Sequence, residues 1–167
     1  MQNKIKIFIT GGTFDKDYNE LTGELYFKNS RMYELLELGR CKLNVDIETL
    51  MMVDSVEMSS NERDYIISKC ADEMCNQIII THGTDTIIQT ALSLEKNIKN
   101  KTIVLTGAMI PVKFGSSDGL FNMGSALSFV QALAQGVYIA MNGQIFNQAN
   151  VFKNKKLGIF EEIEFIK

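Results

Sequence analysis

The sequence predicts a doubly wound α/β domain, in which helices cover both faces of a largely parallel sheet. Five short apolar runs recur along the chain, at residues 5–9, 45–52, 77–81, 102–106 and 137–141. Between them lie segments whose apolar residues are spaced three or four apart, as on one face of a helix, at residues 30–38, 60–74, 86–97 and 119–134. Nearly continuous apolar strands that alternate with helices are typical of a parallel sheet buried on both faces.

The first connection departs from this alternation. Sixteen residues lie between Thr13, in the loop after the first strand, and Ser30, where the first helix is predicted to begin. A βα loop usually has about 2 to 6 residues. Residues 21–25, Leu-Thr-Gly-Glu-Leu, have turn chemistry between Tyr18 and Tyr26. We therefore predict a mobile β-hairpin flap within residues 15–27.

Composition limits the domain count and the function classes. We expect residues 1–167 to form a single Rossmann-like or flavodoxin-like three-layer domain, because this length leaves no room for a second. The charge of -3 with interspersed signs argues against nucleic acid as a partner, and no stretch predicts a membrane span or signal peptide, so we expect a cytoplasmic protein. Three cysteines and one histidine give no credible metal site, and no cofactor is expected.

Three polar loops are predicted to meet at one crevice. In open α/β sheets, ligands bind beyond the carboxyl ends of the strands where the strand order reverses, and the commonest five-strand order places the first and third strands side by side there. The three strands nearest this point are followed by residues 10–13 (Thr-Gly-Gly-Thr), by Asp54 and Ser55, and by residues 81–86 (Thr-His-Gly-Thr-Asp-Thr). Glycines in such loops expose backbone N–H groups that can bind a carboxylate or an oxyanion.

The hydroxyl groups beside these glycines are the reactive candidates. A threonine is a weak nucleophile until a base takes its proton, and neutral His82, Asp85 or a lysine of lowered pKa could be that base. Asp118, and Asp85 considered alone, could also be helix N-caps. Nucleotide binding is disfavoured because the loop after the first strand has neither Gly-x-Gly-x-x-Gly nor Gly-Lys-Ser/Thr spacing.

Several motifs together resemble the bacterial-type L-asparaginases. They occur in that family's order and approximate spacing over nearly the whole chain. They are Thr-Gly-Gly-Thr at 10–13, Asp-Ser-Val-Glu-Met at 54–58, His-Gly-Thr-Asp-Thr at 82–86, Thr-Gly-Ala-Met at 106–109, Ser-Asp-Gly-Leu-Phe-Asn at 117–122 and the run 137–142. The chain looks most similar to short, cytoplasmic members that correspond to the N-terminal catalytic domain.

The resemblance implies an amidohydrolase that converts L-asparagine to aspartate and ammonia. Thr13 would be the nucleophile, and Thr84, Asp85 and Lys153 would form a catalytic relay. Tyr18 would be the flap tyrosine. The substrate-binding set would comprise Ser55 and Asp85, which would hold the α-carboxylate and α-amino groups, together with Asp54 and Thr84.

The chain also departs from the family's pattern. Only 14 residues follow Lys153, so the second domain of full-length members, which completes a neighbouring subunit's site, is expected to be absent. Ile110 stands where many members have arginine. We expect a homodimer or homotetramer with weaker affinity or looser specificity. The rival interpretation is a non-catalytic module that binds asparagine or aspartate, for which the second threonine and the lysine would be unnecessary.

Overall fold

The computed structural model describes residues 4–163 and contains fourteen strands and α-helices within that range. In chain order these are β1 (Ile5–Gly11), β2 (Lys16–Asn19), β3 (Glu24–Phe27), α1 (Met32–Leu38), β4 (Val45–Val53), α2 (Ser60–Asp72), β5 (Gln77–Thr81), α3 (Ile87–Asn97), β6 (Thr102–Thr106), α4 (Gly119–Ala132), β7 (Gly136–Met141), β8 (Gln144–Asn147), β9 (Phe152–Asn154) and β10 (Ile159–Glu161).

The central sheet has six strands in the order β4-β1-β5-β6-β7-β8. The first five are parallel, and β8 adds to β7 in antiparallel orientation at the edge. The predicted doubly wound, largely parallel sheet is therefore confirmed, with β1 beside β5. The five predicted strands match β1, β4, β5, β6 and β7, whereas the short strands β8, β9 and β10 were not predicted.

Helices cover both faces of the sheet, because alternate residues of each strand point to opposite sides. In β5, Ile78 and Ile80 belong to the core cluster that includes residues of α2 and α3. Ile79, between them, belongs to the cluster that includes residues of α1 and α4. All three side chains have no exposed area. Such continuous burial explains why the strand sequences are apolar throughout.

The helices begin and end within two residues of the predicted bounds. The helix α2 begins at Ser60 because Ser59 and Glu62 form a capping box, in which each side chain accepts a hydrogen bond from the other residue's backbone N–H. Ser30 lies ahead of α1, and its hydroxyl accepts from the backbone N–H of Met32. Helix ends are less certain from sequence than helix existence.

Two hairpins stand outside the central sheet. The predicted flap is present as the antiparallel pair β2–β3, with Lys16 opposite Phe27 and Asn19 opposite Glu24. The second hairpin, β9–β10, places Lys153 opposite Phe160. It lies after β8, and its position was not evident from the sequence because each of its strands has only three residues.

Candidate active site

Glycines allow the loops after β1, β4 and β5 to touch. A Cβ atom added at Gly12 would lie 2.5 Å from Cα of Gly83, and one added at Gly83 would lie 2.5 Å from Cβ and Oγ of Ser55. Real Cβ contacts are essentially never that close, so side chains are excluded at both glycines. The structure therefore brings the loops that carry Thr13, Ser55 and Thr84 together at the carboxyl end of the sheet, as the strand order led us to expect.

Lys153 lies against the loop after β5. Its ammonium group donates hydrogen bonds to Oγ1 of Thr84 at 2.8 Å and to Oδ1 of Asp85 at 2.9 Å. The lysine side chain is 11% exposed, Thr84 is buried and the side chain of Asp85 is 39% exposed. Lys153 thus forms a cluster of ammonium, hydroxyl and carboxylate groups with two residues that precede it by 69 and 68 positions in the sequence. This burial does not fit the interpretation of Lys153 as part of a solvated, lysine-rich surface.

Thr13 occupies a tight turn directly after β1. It begins a short 3-10 turn, Thr13–Asp15, and the preceding Gly12 has φ of 77°, in the left-handed region that glycine adopts without strain. Thr13 itself is half-buried.

Ser55 and Asp54 lie at the end of β4 in different surroundings. Ser55 is 1% exposed, and its Oγ has no hydrogen-bond partner among the described residues. Such a buried, unsatisfied hydroxyl costs free energy unless a ligand or water completes it. Asp54 Oδ2 instead accepts from Nζ of Lys16 at 2.5 Å, and its Oδ1 accepts from the backbone of Val56. Burial raises the pKa of Asp54, but the bond from Lys16 and other contacts outweigh it and lower that pKa overall.

Tyr18 lies on the flap strand β2, about half exposed. Its ring meets Phe114 edge-on, with centroids 6.2 Å apart. Within the described chain, it makes no hydrogen bond to the other candidate catalytic side chains. The structure therefore places Tyr18 on the predicted hairpin but does not join it to the Lys153 cluster.

His82 is a structural residue, not a base for the crevice. It has no exposed area, and burial lowers its pKa to about 4. Its Nδ1 lies 2.9 Å from the carbonyl oxygen of Gly83, which can only accept, so Nδ1 carries the proton. Nε2 is then the acceptor for the hydroxyl of Thr90, also at 2.9 Å. Both ring nitrogens are occupied, which removes His82 from the bases that the sequence left open.

Neither aspartate suggested as an N-cap caps a helix through its side chain. Asp118 precedes α4, but its carboxylate accepts from the backbone N–H groups of Met109 and Ile110 and from the amide of Asn122. It therefore holds the loop after β6. Asp85 is bound to Lys153, and the N-cap position of α3 belongs to the next residue. Asp118 therefore occupies the N-cap position of α4 without a side-chain capping bond, whereas Asp85 does not occupy an N-cap position.

Two residues beside Thr13 were not predicted as parts of the site. Asp15 is 5% exposed, accepts from Ser30 Oγ at 2.6 Å, and has a pKa raised to about 6 because burial outweighs that bond. Lys16 forms the ion pair with Asp54 and so ties the flap to the loop of Ser55. The only sequence signal for them was a polar pair at the start of the long first connection.

No helix among residues 4–163 is long and apolar enough to cross a membrane. The same residues contain no group of three or more histidine, cysteine, aspartate or glutamate side chains that could hold a metal ion. Cys41, Cys70 and Cys75 are all free.

Comparison with known proteins gives a consistent result. The family model described as "Asparaginase, N-terminal" matches residues 4–165. An L-asparaginase from Thermococcus kodakarensis is 29% identical over 97% of the chain. The solved structure of a thermostable L-asparaginase from the same organism is 28% identical, with a TM-score of 0.82. A probable periplasmic L-asparaginase from Haemophilus influenzae is 30% identical over 93% of the chain. The structure of a probable cytoplasmic L-asparaginase from Campylobacter jejuni is 29% identical, with a TM-score of 0.83 over 98% of the chain and 54% of its own. The chain covers 52% and 47% of the two curated relatives, about half their length.

Proposed function

The chain belongs to the asparaginase family, and from this premise we propose that it hydrolyses the side-chain amide of L-asparagine to give L-aspartate and ammonia. One observation carries the proposal beyond family membership: the contact of Lys153 with both Thr84 and Asp85, beside the loop of Thr13. A domain that only bound an amino acid would have no need of a buried lysine on a hydroxyl group. An enzyme that must move a proton near that hydroxyl would need such a lysine.

The proposed reaction is acyl transfer in two steps. The hydroxyl oxygen of Thr13 attacks the amide carbon, and the C–N bond breaks as ammonia leaves with the hydroxyl proton. Water then cleaves the resulting ester, which releases aspartate and restores Thr13. Backbone N–H groups of the loop at Thr84 would stabilise the oxyanion of each step, an effect worth about 2.7 to 4 kcal/mol per donor.

The substrate's polar ends have candidate partners in the crevice. Ser55 Oγ, buried and without a partner among the described residues, would donate to the α-carboxylate. Asp85 is partly exposed and would accept from the α-amino group with the carboxylate oxygen that Lys153 leaves free. Asp54 would act beside them indirectly, because its own carboxylate is held by Lys16.

The proposal extends to assembly and location. We propose a cytoplasmic homodimer or homotetramer. The face of α4 that carries Leu120 and Phe121 supports association, because these side chains are 38% and 63% exposed and the helix has no charged residue. A groove of about 680 Å³ runs along this face. Light scattering that showed a monomer at assay concentration would contradict this part.

Ammonia release from L-asparagine by the purified protein tests the proposed activity. Thr13→Ala should lower kcat by at least about 10³-fold, since it removes the attacking atom. Thr84→Val and Lys153→Met should each lower it by about 10²-fold or more, as expected for loss of a proton-transfer group. The matched control is Lys99→Met, since Lys99 is exposed and, among the described residues, forms its ion pair with nearby Glu95.

The same measurements separate the enzyme from a binding module. Calorimetry with L-asparagine and L-aspartate would show whether the wild-type protein binds either one. Binding without ammonia release would reject the catalytic proposal and support the module. Parallel assays with D-asparagine, L-glutamine and small aspartyl amides would define the specificity of the proposed enzyme.

A further inference from the structure

The contact between Lys153 and Thr84 is supported from behind by two asparagines. Asn142 lies in the turn between β7 and β8 with φ of 55°, and Gly143 follows with φ of 74°. An Asn-Gly pair with both φ values positive is the usual two-residue hairpin turn. The turn alone would explain an asparagine here, but it does not require the side-chain contacts that Asn142 makes.

The side chain of Asn142 reaches the hairpin that carries Lys153. Its Oδ1 accepts from the backbone N–H of Phe160 at 2.8 Å, 18 residues along the chain. Phe160 is 1% exposed and is the register partner of Lys153 in the β9–β10 pair. Among the described residues, β9 has only three residues and pairs with β10 alone. This bond therefore ties the hairpin to the turn after β7 at the level of the lysine.

Asn122 holds Asn142 to the other half of the site. It has no exposed area, and its Oδ1 accepts from the backbone N–H of Asn142 at 3.1 Å. Its Nδ2 donates to the carbonyl of Gly107 and to Asp118, each at 2.9 Å. A Cβ at Gly107 would lie 3.0 Å from Cγ2 of Thr84, so the backbone of this loop passes close beside the threonine.

We propose that Asn142, held by Asn122, is a positioning residue that sets Nζ of Lys153 within hydrogen-bond distance of Thr84. This inference rests on the proposed function and deepens it. The two asparagines connect the loop beside Thr84 to the hairpin of Lys153 by a route separate from the Lys153–Thr84 bond itself. A displacement of about 1 Å at a reacting group can cost about 100-fold in rate, so such a connection matters to kcat.

Two substitutions separate this role from the needs of the turn. Asn142→Gly keeps a residue that adopts φ of 55° freely but removes the acceptor for Phe160. Asn142→Asp keeps both an acceptor oxygen and tolerance of the left-handed conformation. We expect Asn142→Gly to lower kcat by about 10-fold or more with KM changed less than about 3-fold, and Asn142→Asp to stay within about 3-fold of wild type.

A double-mutant cycle tests whether the effect acts through the lysine. With Lys153→Met present, Asn142→Gly should cost little further activity, because the group that it positions is already gone. Equal costs in both backgrounds would overturn the proposal. An unchanged kcat in Asn142→Gly would also overturn the proposal, because it would assign the asparagine to the turn alone. Loss of folding in Asn142→Gly that Asn142→Asp restores would overturn it as well, because it would assign the side chain to stability.

A structural readout keeps the test independent of the proposed activity. In Asn142→Gly, the amide of Phe160 should lose hydrogen-exchange protection, and the nuclear Overhauser effect between the Lys153 Hε protons and the Thr84 methyl group should weaken. If wild type released no ammonia, the proposed function would fail, and these two measurements would still decide the positioning. Unchanged protection and an unchanged Overhauser effect would refute it.

Discussion

The effect of Asp15→Asn on stability is expected to become more favourable as pH rises from acid to neutral. The carboxyl group of Asp15 is buried two residues after Thr13, and burial raises its pKa from 3.8 to about 6. The folded protein therefore binds a proton in a pH range where the unfolded chain has released it. Stability from this group is fully present below pH 3.8 and is lost as pH rises through about 6.

The shift sets the size of the effect. A difference of about 2.2 pKa units corresponds to about 3 kcal/mol at 1.36 kcal/mol per unit, all of it lost by about pH 8. Asparagine cannot ionise, and its oxygen can still accept from Ser30. Its extra N–H is buried and costs about 1 to 3 kcal/mol if unpaired, but this cost is the same at every pH. The quantity to compare is therefore the change in the mutational effect with pH.

Urea unfolding of wild type and Asp15→Asn, followed by circular dichroism at about pH 4 and about pH 8, measures that change. The free energy of unfolding of the variant relative to wild type should rise by about 2.4 kcal/mol from the lower to the higher pH, because at pH 4 the unfolded chain has already released more than half of its proton. Asp17→Asn is a useful control, because Asp17 is a similarly buried aspartate two residues further along, on β2. A pH-independent difference for Asp15→Asn would refute the reasoning that the folded protein holds this carboxyl in its neutral form.

Three further changes test other parts of the site. Gly83→Ala should raise KM for L-asparagine by at least about 10-fold, because the new Cβ would displace Ser55. In the control Gly124→Ala, the new Cβ meets nothing within 4 Å, so KM should stay unchanged. Equal KM values for the two variants would contradict the loop contact. Wild type should lose about 3 kcal/mol of unfolding free energy as pH falls from 6.5 to about 4, since only the unfolded chain protonates His82 over that range. His82→Gln should not show this loss. An equal dependence of unfolding free energy on pH in both proteins would reject this assignment. Lys16→Met removes the partly buried ion pair with Asp54, worth about 1 kcal/mol, and should speed amide hydrogen exchange of residues 16–27 about 5-fold. Exchange as slow as in wild type would show that this pair does not hold the flap.

The sequence by itself determined the sheet and the place of the crevice. Apolar runs such as residues 77–81, which alternate with helical segments, are typical of strands buried on both faces of a helix-covered parallel sheet. Each run can be recognised without knowledge of the rest of the fold. The glycines and hydroxyl residues that follow the strands then had to gather at one edge, since parallel strands share a carboxyl end. The flap followed from a connection too long for a simple loop.

The tertiary structure decided which side chains meet. Lys153 lies in a lysine-rich stretch, and residue spacing could not show that its three-residue strand would be held against Thr84. His82 and Asp118 were equally ambiguous, because the donors and acceptors that occupy them come from other segments of the chain. The same holds for the raised pKa of Asp15, since burial is a property of the folded chain. Local sequence sets which elements form, but hydrogen-bond partners far apart in sequence are chosen only when those elements pack.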